Sequence, residues 1–179
     1  MAGDFNRNLS IGKKAELFAE SYFKKQNILY QDVRDDREYQ KIDVDYVADK
    51  YNKVEVKCNY GDARYGRKGI YFWVELQVGK NKGWWYFSQA DYFFFNDTEK
   101  SGIIIENNCT FKDFVNNAVE CGDHGSYGNN RIDRIKDKRY HGDIDVVNMR
   151  VYLEDIVNLA GVNLTKIAKR QRISESQNL

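Results

Sequence analysis

The sequence predicts an α/β fold in which a mixed β-sheet is flanked by α-helices. Two segments, 42–48 and 53–58, alternate apolar and polar residues in the manner of strands. Two others, 15–22 and 111–119, repeat their apolar residues every three or four positions, which is typical of helices. Because helical and strand patterns follow one another along the chain, layers of helix on sheet are favoured over an all-helical or all-strand fold.

A single domain is expected from the size of the chain. Its 179 residues, 42% hydrophobic and 15% aromatic, suffice for one sizeable core. We assign this domain to residues 1–172 and expect the polar tail, 173–179, to be disordered. No apolar run approaches about 18 residues and no signal peptide is recognisable. Three scattered cysteines suit a reducing compartment, so we expect a cytoplasmic protein with no membrane association.

The N-terminal third predicts a helix, a short strand and a β-hairpin. Ser10 can cap a helix whose pattern fades near Gln26, and residues 28–33 predict a short strand. The alternating segments on either side of the turn residues 49–52 then predict two antiparallel strands.

The elements after the hairpin are less regular. A glycine-rich, basic stretch at 61–69 predicts a loop. The aromatic stretch 83–87 predicts a strand or a short helix. The remaining predictions are strands at 70–78, 92–95, 103–105 and 143–151, a loop at 122–130, and helices at 111–119, 152–159 and 164–172, the last of them basic and amphipathic.

The charges are unevenly distributed, although the net charge is only +1. Residues 32–49 hold seven acids and three bases, whereas basic residues concentrate elsewhere. An acidic segment with basic groups around it is what a metal site facing a phosphate backbone would need. We therefore expect Arg64, Arg67 and Lys68, in the loop after the hairpin, to contact nucleic-acid phosphates. An exposed, solvated loop is the alternative.

The hairpin carries the candidate catalytic residues. Period-two alternation places Asp43 and Asp45 on one face of its first strand, and Glu55 and Lys57 on one face of its second. Hydrolysis of a phosphodiester with Mg²⁺ needs oxygen ligands and a cation near the developing charge, which this set supplies. An ordinary solvent-facing hairpin is the alternative, but its apolar neighbours indicate burial, where unpaired charges are costly.

These hairpin residues resemble a known motif. Asp-x-Asp at 43–45, followed by Glu-Val-Lys at 55–57, is similar to the core motif of the PD-(D/E)xK nuclease superfamily. Upstream, the pattern Gly12-x-x-x-Glu16-x-x-Ala19-x-x-Tyr22-Phe23 resembles the first helix of archaeal Holliday-junction resolvases and related nucleases. The resemblance covers residues 12–58 in the family's order. The proline that precedes the aspartate in the family motif is missing from this chain. It implies a restriction-endonuclease-like fold.

The resemblance also implies a set of metal ligands. The hairpin aspartate and Glu55 would hold Mg²⁺, or Mn²⁺ in its place, together with the Val56 carbonyl. Glu16 would hold a second metal or a water. Asp45 is preferred as the hairpin ligand because apolar residues follow it, as they do in the family. Asp43 is the alternative ligand, because its separation in sequence from Glu55 is close to the separation found in many relatives.

The function that the resemblance implies is a Mg²⁺-dependent endonuclease acting on DNA. Lys57 would orient the attacking water or stabilise charge in the transition state. Relatives indicate restriction cleavage or junction and recombination processing, by a phage or bacterial homodimer without a small-molecule cofactor. Two alternatives remain. One is an inactive nucleic-acid-binding or assembly module of the same fold, which the near-neutral charge favours, and the other is an RNA-directed nuclease.

Overall fold

A computed structural model describes residues 3–58, 71–98, 101–121, 131–137, 144–157 and 159–168. Over these residues the chain is mixed α/β, with a mixed six-stranded sheet (sheet A) and a four-stranded antiparallel sheet (sheet B). The predicted tail at 173–179, the predicted loop at 122–130 and the predicted phosphate contacts Arg64, Arg67 and Lys68 lie outside the described residues.

The helices are α1 (Gly3–Lys25), α2 (Arg37–Lys41), α3 (Cys109–Cys121) and α4 (Leu153–Val157). In spatial order, the strands of sheet A are β1 (Tyr30–Asp32), β2 (Tyr46–Ala48), β3 (Asn52–Cys58), β6 (Tyr92–Thr98), β7 (Ser101–Glu106) and β10 (Leu164–Ala168). Those of sheet B are β5 (Asn81–Lys82), β4 (Tyr71–Val78), β9 (Ile144–Tyr152) and β8 (Arg131–Asp137). Neighbouring strands are antiparallel except β3 and β6, which are parallel.

Helix α1 packs on one face of sheet A, as the predicted layering requires. Ala15, Ala19 and Phe23 recur every four residues and are almost fully buried. The Phe23 ring lies 5.7 Å from the ring of Tyr46 in β2 and 6.3 Å from that of Phe94 in β6. This packing fixes α1 against the strands of the predicted hairpin.

The opposite face of sheet A is covered by sheet B as well as by α3, so a second sheet adds to the predicted layer of helices. Phe93 and Phe95 lie on this face, and Phe95 stacks on Phe72 of β4 with ring centroids 4.0 Å apart. Phe111 of α3 lies 6.2 Å from the Phe72 ring. Because both faces of β6 are covered, three successive phenylalanines, 93–95, are all buried in it.

The remaining elements agree with the sequence predictions only in part. Residues 164–168 form β10, paired antiparallel with β7, where the sequence predicted a helix. The stretch 83–87 forms a single 3₁₀ turn at Trp84–Tyr86, which is the short-helix alternative. Strand β8 was not predicted at all. None of the described helices is both long and apolar enough to cross a membrane.

Gly83 allows the 3₁₀ turn to approach β4 closely. Its N–H donates to the Leu76 carbonyl at 2.9 Å, and a Cβ on Gly83 would lie 2.2 Å from the Glu75 carbonyl oxygen. We predict that Gly83→Ala lowers the free energy of unfolding by about 2 kcal/mol or more, because backbone must shift to admit the methyl group. Urea denaturation measures this change.

Gly12→Ala is the matched control for that substitution. Gly12 lies within α1, and a Cβ there would meet nothing within 4 Å. We expect this variant to gain roughly 0.5–1 kcal/mol, since alanine is the better helix former. A Gly83→Ala protein as stable as the wild type would contradict the close approach.

Candidate active site

Lys57, Glu55 and Asp43 form a buried ionic cluster. Glu55 and Lys57 are two residues apart in β3, so their side chains share a face of sheet A. Lys57 Nζ donates to Glu55 Oε1 at 2.5 Å and to Asp43 Oδ1 at 3.0 Å, and lies 2.9 Å from Asp43 Oδ2. The side chains of Lys57, Glu55 and Asp43 are 19%, 7% and 18% exposed. The structure thus brings three of the predicted site residues together.

Asp43 reaches the cluster from a turn, so the prediction that it lies in a strand with Asp45 is wrong. Residue Ile42 caps α2, and Asp43 has a left-handed backbone with φ of 56°. Aspartate tolerates this conformation better than most residues. Ser88 Oγ donates to the Asp43 carbonyl at 3.3 Å, and the Gln89 N–H donates to that of Ile42 at 2.8 Å. These contacts hold the turn where the alternating pattern predicted strand.

Asp45 lies just before β2 and bonds to the backbone of β3. Its N–H donates to the Val54 carbonyl at 3.0 Å, and its Oδ2 accepts from the Val56 N–H at 2.9 Å. Burial raises the pKa of Asp45 to about 6, against the opposing effects of the Val56 hydrogen bond and the Lys57 charge. The charges of Glu16 and Asp43 raise it further.

Burial also raises the pKa of Glu55 well above its ordinary value, although the Lys57 charge acts in the opposite direction. For Lys57, burial acts to lower the pKa, but the carboxylates of Glu55 and Asp43 outweigh it and raise the pKa above its ordinary value. Lys57 is therefore an ammonium at neutral pH. The cluster holds more carboxyl groups than cations.

Trp84 is a member of the cluster that sequence reasoning missed. The sequence favoured a core role for most of the aromatic residues, and Trp84 is indeed buried, 5.2 Å from the Phe93 ring. Its ring face also lies 4.6 Å from Lys57 Nζ, within the range of a cation–π interaction. No local pattern could reveal this contact, because the two residues come from different elements.

Glu16 is held by Arg34 at the edge of the cluster. The Arg34 guanidinium pairs with Glu16, with Glu20 at 3.0 Å and with Asp32. Glu16 makes no hydrogen bond to the hairpin carboxylates in the described structure, yet its charge contributes to the raised pKa of Asp45. Arg34 is a second residue that the sequence patterns did not single out.

The oxygen donors of the cluster fit a hard divalent cation. Asp43 Oδ2 is buried near Lys57 Nζ but accepts no hydrogen bond, so an acceptor remains for another positive group. Within the described residues, no three His, Cys, Asp or Glu side chains already form a metal-binding group. Binding of Mg²⁺ between Asp43 and Glu55 would therefore require the Lys57 ammonium to shift.

Comparison with known proteins adds no further constraint on this site. No protein-family model, no curated protein and no solved structure was found to match the chain. The geometry and electrostatics of the cluster are therefore what indicate its function.

The raised pKa of Asp45 has a consequence for stability. A carboxyl whose pKa is higher in the folded than in the unfolded chain stabilises the fold fully below its unfolded pKa, here 3.8. That contribution is lost as the pH rises through about 6. Asparagine does not ionise and can keep the bond from the Val56 N–H. In metal-free buffer we predict that Asp45→Asn gains stability relative to wild type between about pH 4 and about pH 8, by up to roughly 3 kcal/mol.

Urea denaturation of both proteins across this pH range measures the effect. Asp49→Asn is the matched control, because Asp49 is exposed in the turn between β2 and β3 and should give a nearly constant difference. A stability difference for Asp45→Asn that does not change with pH would show that burial does not perturb this carboxyl.

Proposed function

We propose that the chain is a Mg²⁺-dependent endonuclease of the PD-(D/E)xK superfamily that hydrolyses phosphodiester bonds of DNA. The observation that carries the proposal is the convergence of Asp43, Asp45 and Glu55 around the buried ammonium of Lys57. One ammonium can pair with one carboxylate, but three carboxyl groups leave excess negative charge in a low-dielectric site. Such a site attracts a further cation.

The proposed restriction-endonuclease-like fold draws support from the order of the elements. Helix α1 precedes β2 and β3 and packs on the sheet that contains them, and these elements carry the residues of the resemblance. The sheet is mixed, as this fold requires. Sheet B would then be an addition that covers the second face.

In the proposed reaction, Glu55 and a hairpin aspartate would hold Mg²⁺ together with the Val56 carbonyl. The bound ion would polarise the scissile phosphate and lower the pKa of a water ligand. Lys57 places a positive charge beside the phosphate, where it stabilises the negative charge that develops as water attacks phosphorus and the ester oxygen leaves. Glu16, once released by Arg34, would hold a second metal or a water.

The same contacts favour a second candidate, a nucleic-acid-binding or assembly module without catalysis. Lys57 already contacts both Glu55 and Asp43 in direct ion pairs, which is also what a purely structural cluster would show. Calorimetry distinguishes the two candidates. Binding of DNA without binding of Mg²⁺ or Mn²⁺ favours the module, and a panel of linear, branched and RNA substrates decides between DNA and RNA.

Activity measurements test the proposed roles directly. We predict that Lys57→Met, which keeps the apolar stem and removes the charge, lowers Mg²⁺-dependent cleavage of plasmid DNA by about 100-fold or more. Lys53→Met is the control, because Lys53 lies in the same strand outside the cluster and should keep the wild-type rate. Loss of Lys57 leaves buried carboxylates without a partner, so folding is checked by circular dichroism.

Glu55→Gln gives a second route to the same test if Lys57→Met fails to fold. This variant removes one excess charge and keeps the size of the side chain. We expect it to fold and to lose cleavage to a similar extent. Wild-type activity in Glu55→Gln would exclude the assigned mechanism.

Asparagine substitutions decide which aspartate binds the metal. Asn tolerates the left-handed backbone of Asp43, so Asp43→Asn removes charge without straining the turn. Asp45→Asn does the same at the second position. We predict that at least one variant loses Mg²⁺ affinity in calorimetry together with cleavage, and full activity in both would contradict a hairpin ligand.

A further inference from the structure

A short turn beside the candidate site exposes two successive aromatic side chains. Tyr86 is 48% exposed and Phe87 is 45% exposed, whereas Trp84, at the start of the same turn, is 8% exposed. Isolated exposed apolar residues are common on protein surfaces. Two successive exposed rings in a turn that contacts the candidate site are a more specific arrangement.

The turn is attached to the site at both ends. At its start, the Trp84 ring lies 4.6 Å from Lys57 Nζ. At its end, Ser88 Oγ donates to the Asp43 carbonyl at 3.3 Å, and the Ser88 N–H donates to the Trp84 carbonyl at 2.9 Å. Tyr86 and Phe87 lie between these two anchors, so their position is fixed relative to Lys57 and Asp43.

A cation accompanies the exposed rings. Lys82 Nζ lies 5.5 Å from the centroid of the Tyr86 ring, and Lys82 forms no ion pair with any carboxylate of the described residues. An exposed ring with an ammonium over one of its faces matches the two chemical parts of a nucleotide. The ring can stack on a base, and the ammonium can pair with a phosphate.

We propose that Tyr86, Phe87 and Lys82 form a stacking surface for an unpaired DNA base next to the scissile phosphate. The proposal deepens the nuclease function and rests on it, since it names the substrate class as DNA with an unpaired segment, either single-stranded or branched. Bases within a duplex already stack on one another and must first be unstacked. The Lys82 charge favours nucleic acid over a second copy of the chain or another protein as the occupant.

Oligonucleotide binding in EDTA tests the surface without cleavage. Fluorescence anisotropy with labelled oligothymidylate should show that Tyr86→Ala and Phe87→Ala each weaken binding by roughly 5- to 100-fold. Tyr86→Phe keeps the ring and should bind as the wild type does. Leu29→Ala is the matched control, because Leu29 is 77% exposed at the start of the segment leading to β1. Neither alanine variant should change binding to a duplex of equal length.

Several outcomes would overturn the stacking surface. They are wild-type affinity in both alanine variants, an equal loss of duplex binding, and no binding of the oligonucleotide by the wild type. A change from dimer to monomer in gel filtration, with unchanged oligonucleotide affinity, would assign the rings to a second copy of the chain instead.

Failure of the stacking surface is distinguishable from failure of the nuclease function. If the alanine variants lose oligonucleotide affinity but the wild type cuts no substrate with Mg²⁺, the surface stands and the catalytic proposal falls. If the wild type cuts single-stranded or branched DNA and the variants cut it with an unchanged KM, the catalytic proposal stands and the surface falls.

Discussion

The buried ammonium of Lys57 is the interaction on which the candidate site depends. Moving a charge out of water is costly unless it is paired, and here Glu55, Asp43 and the Trp84 ring surround it. These partners come from β3, from the turn before β2 and from the 3₁₀ turn. The ammonium therefore contacts three separate parts of the fold.

Sheet A explains how charged residues can occupy a central strand. Alternation in β3 directs Val54 and Val56 into the core under α1, and leaves Glu55 and Lys57 on the other face. Phe93 occupies the neighbouring position in β6, paired with Glu55 across the parallel ladder. The polar cluster is thus held between apolar layers, and burial in this setting raises the pKa values of Asp45 and Glu55.

Local patterns predicted the parts of the site that depend on a regular element. Period-two alternation placed Glu55 and Lys57 correctly, because β3 is a strand throughout. The same pattern failed at Asp43, where backbone hydrogen bonds from the end of α2 produce a left-handed turn. Helical spacing failed in turn at 164–168, because pairing with β7 is a tertiary interaction that overrides the spacing of Leu164 and Ile167.

The charges of the cluster explain why a divalent cation would complete it. With all three carboxyl groups ionised, Lys57 offsets one of three negative charges. Burial, together with repulsion between the carboxylates, raises the pKa values of Asp45 and Glu55. A divalent cation neutralises the other two. The Trp84 ring is a third partner of the Lys57 ammonium, besides the carboxylates of Glu55 and Asp43. In the proposed reaction, the Trp84 ring would remain as a partner for the ammonium when Mg²⁺ takes its place at the carboxylates.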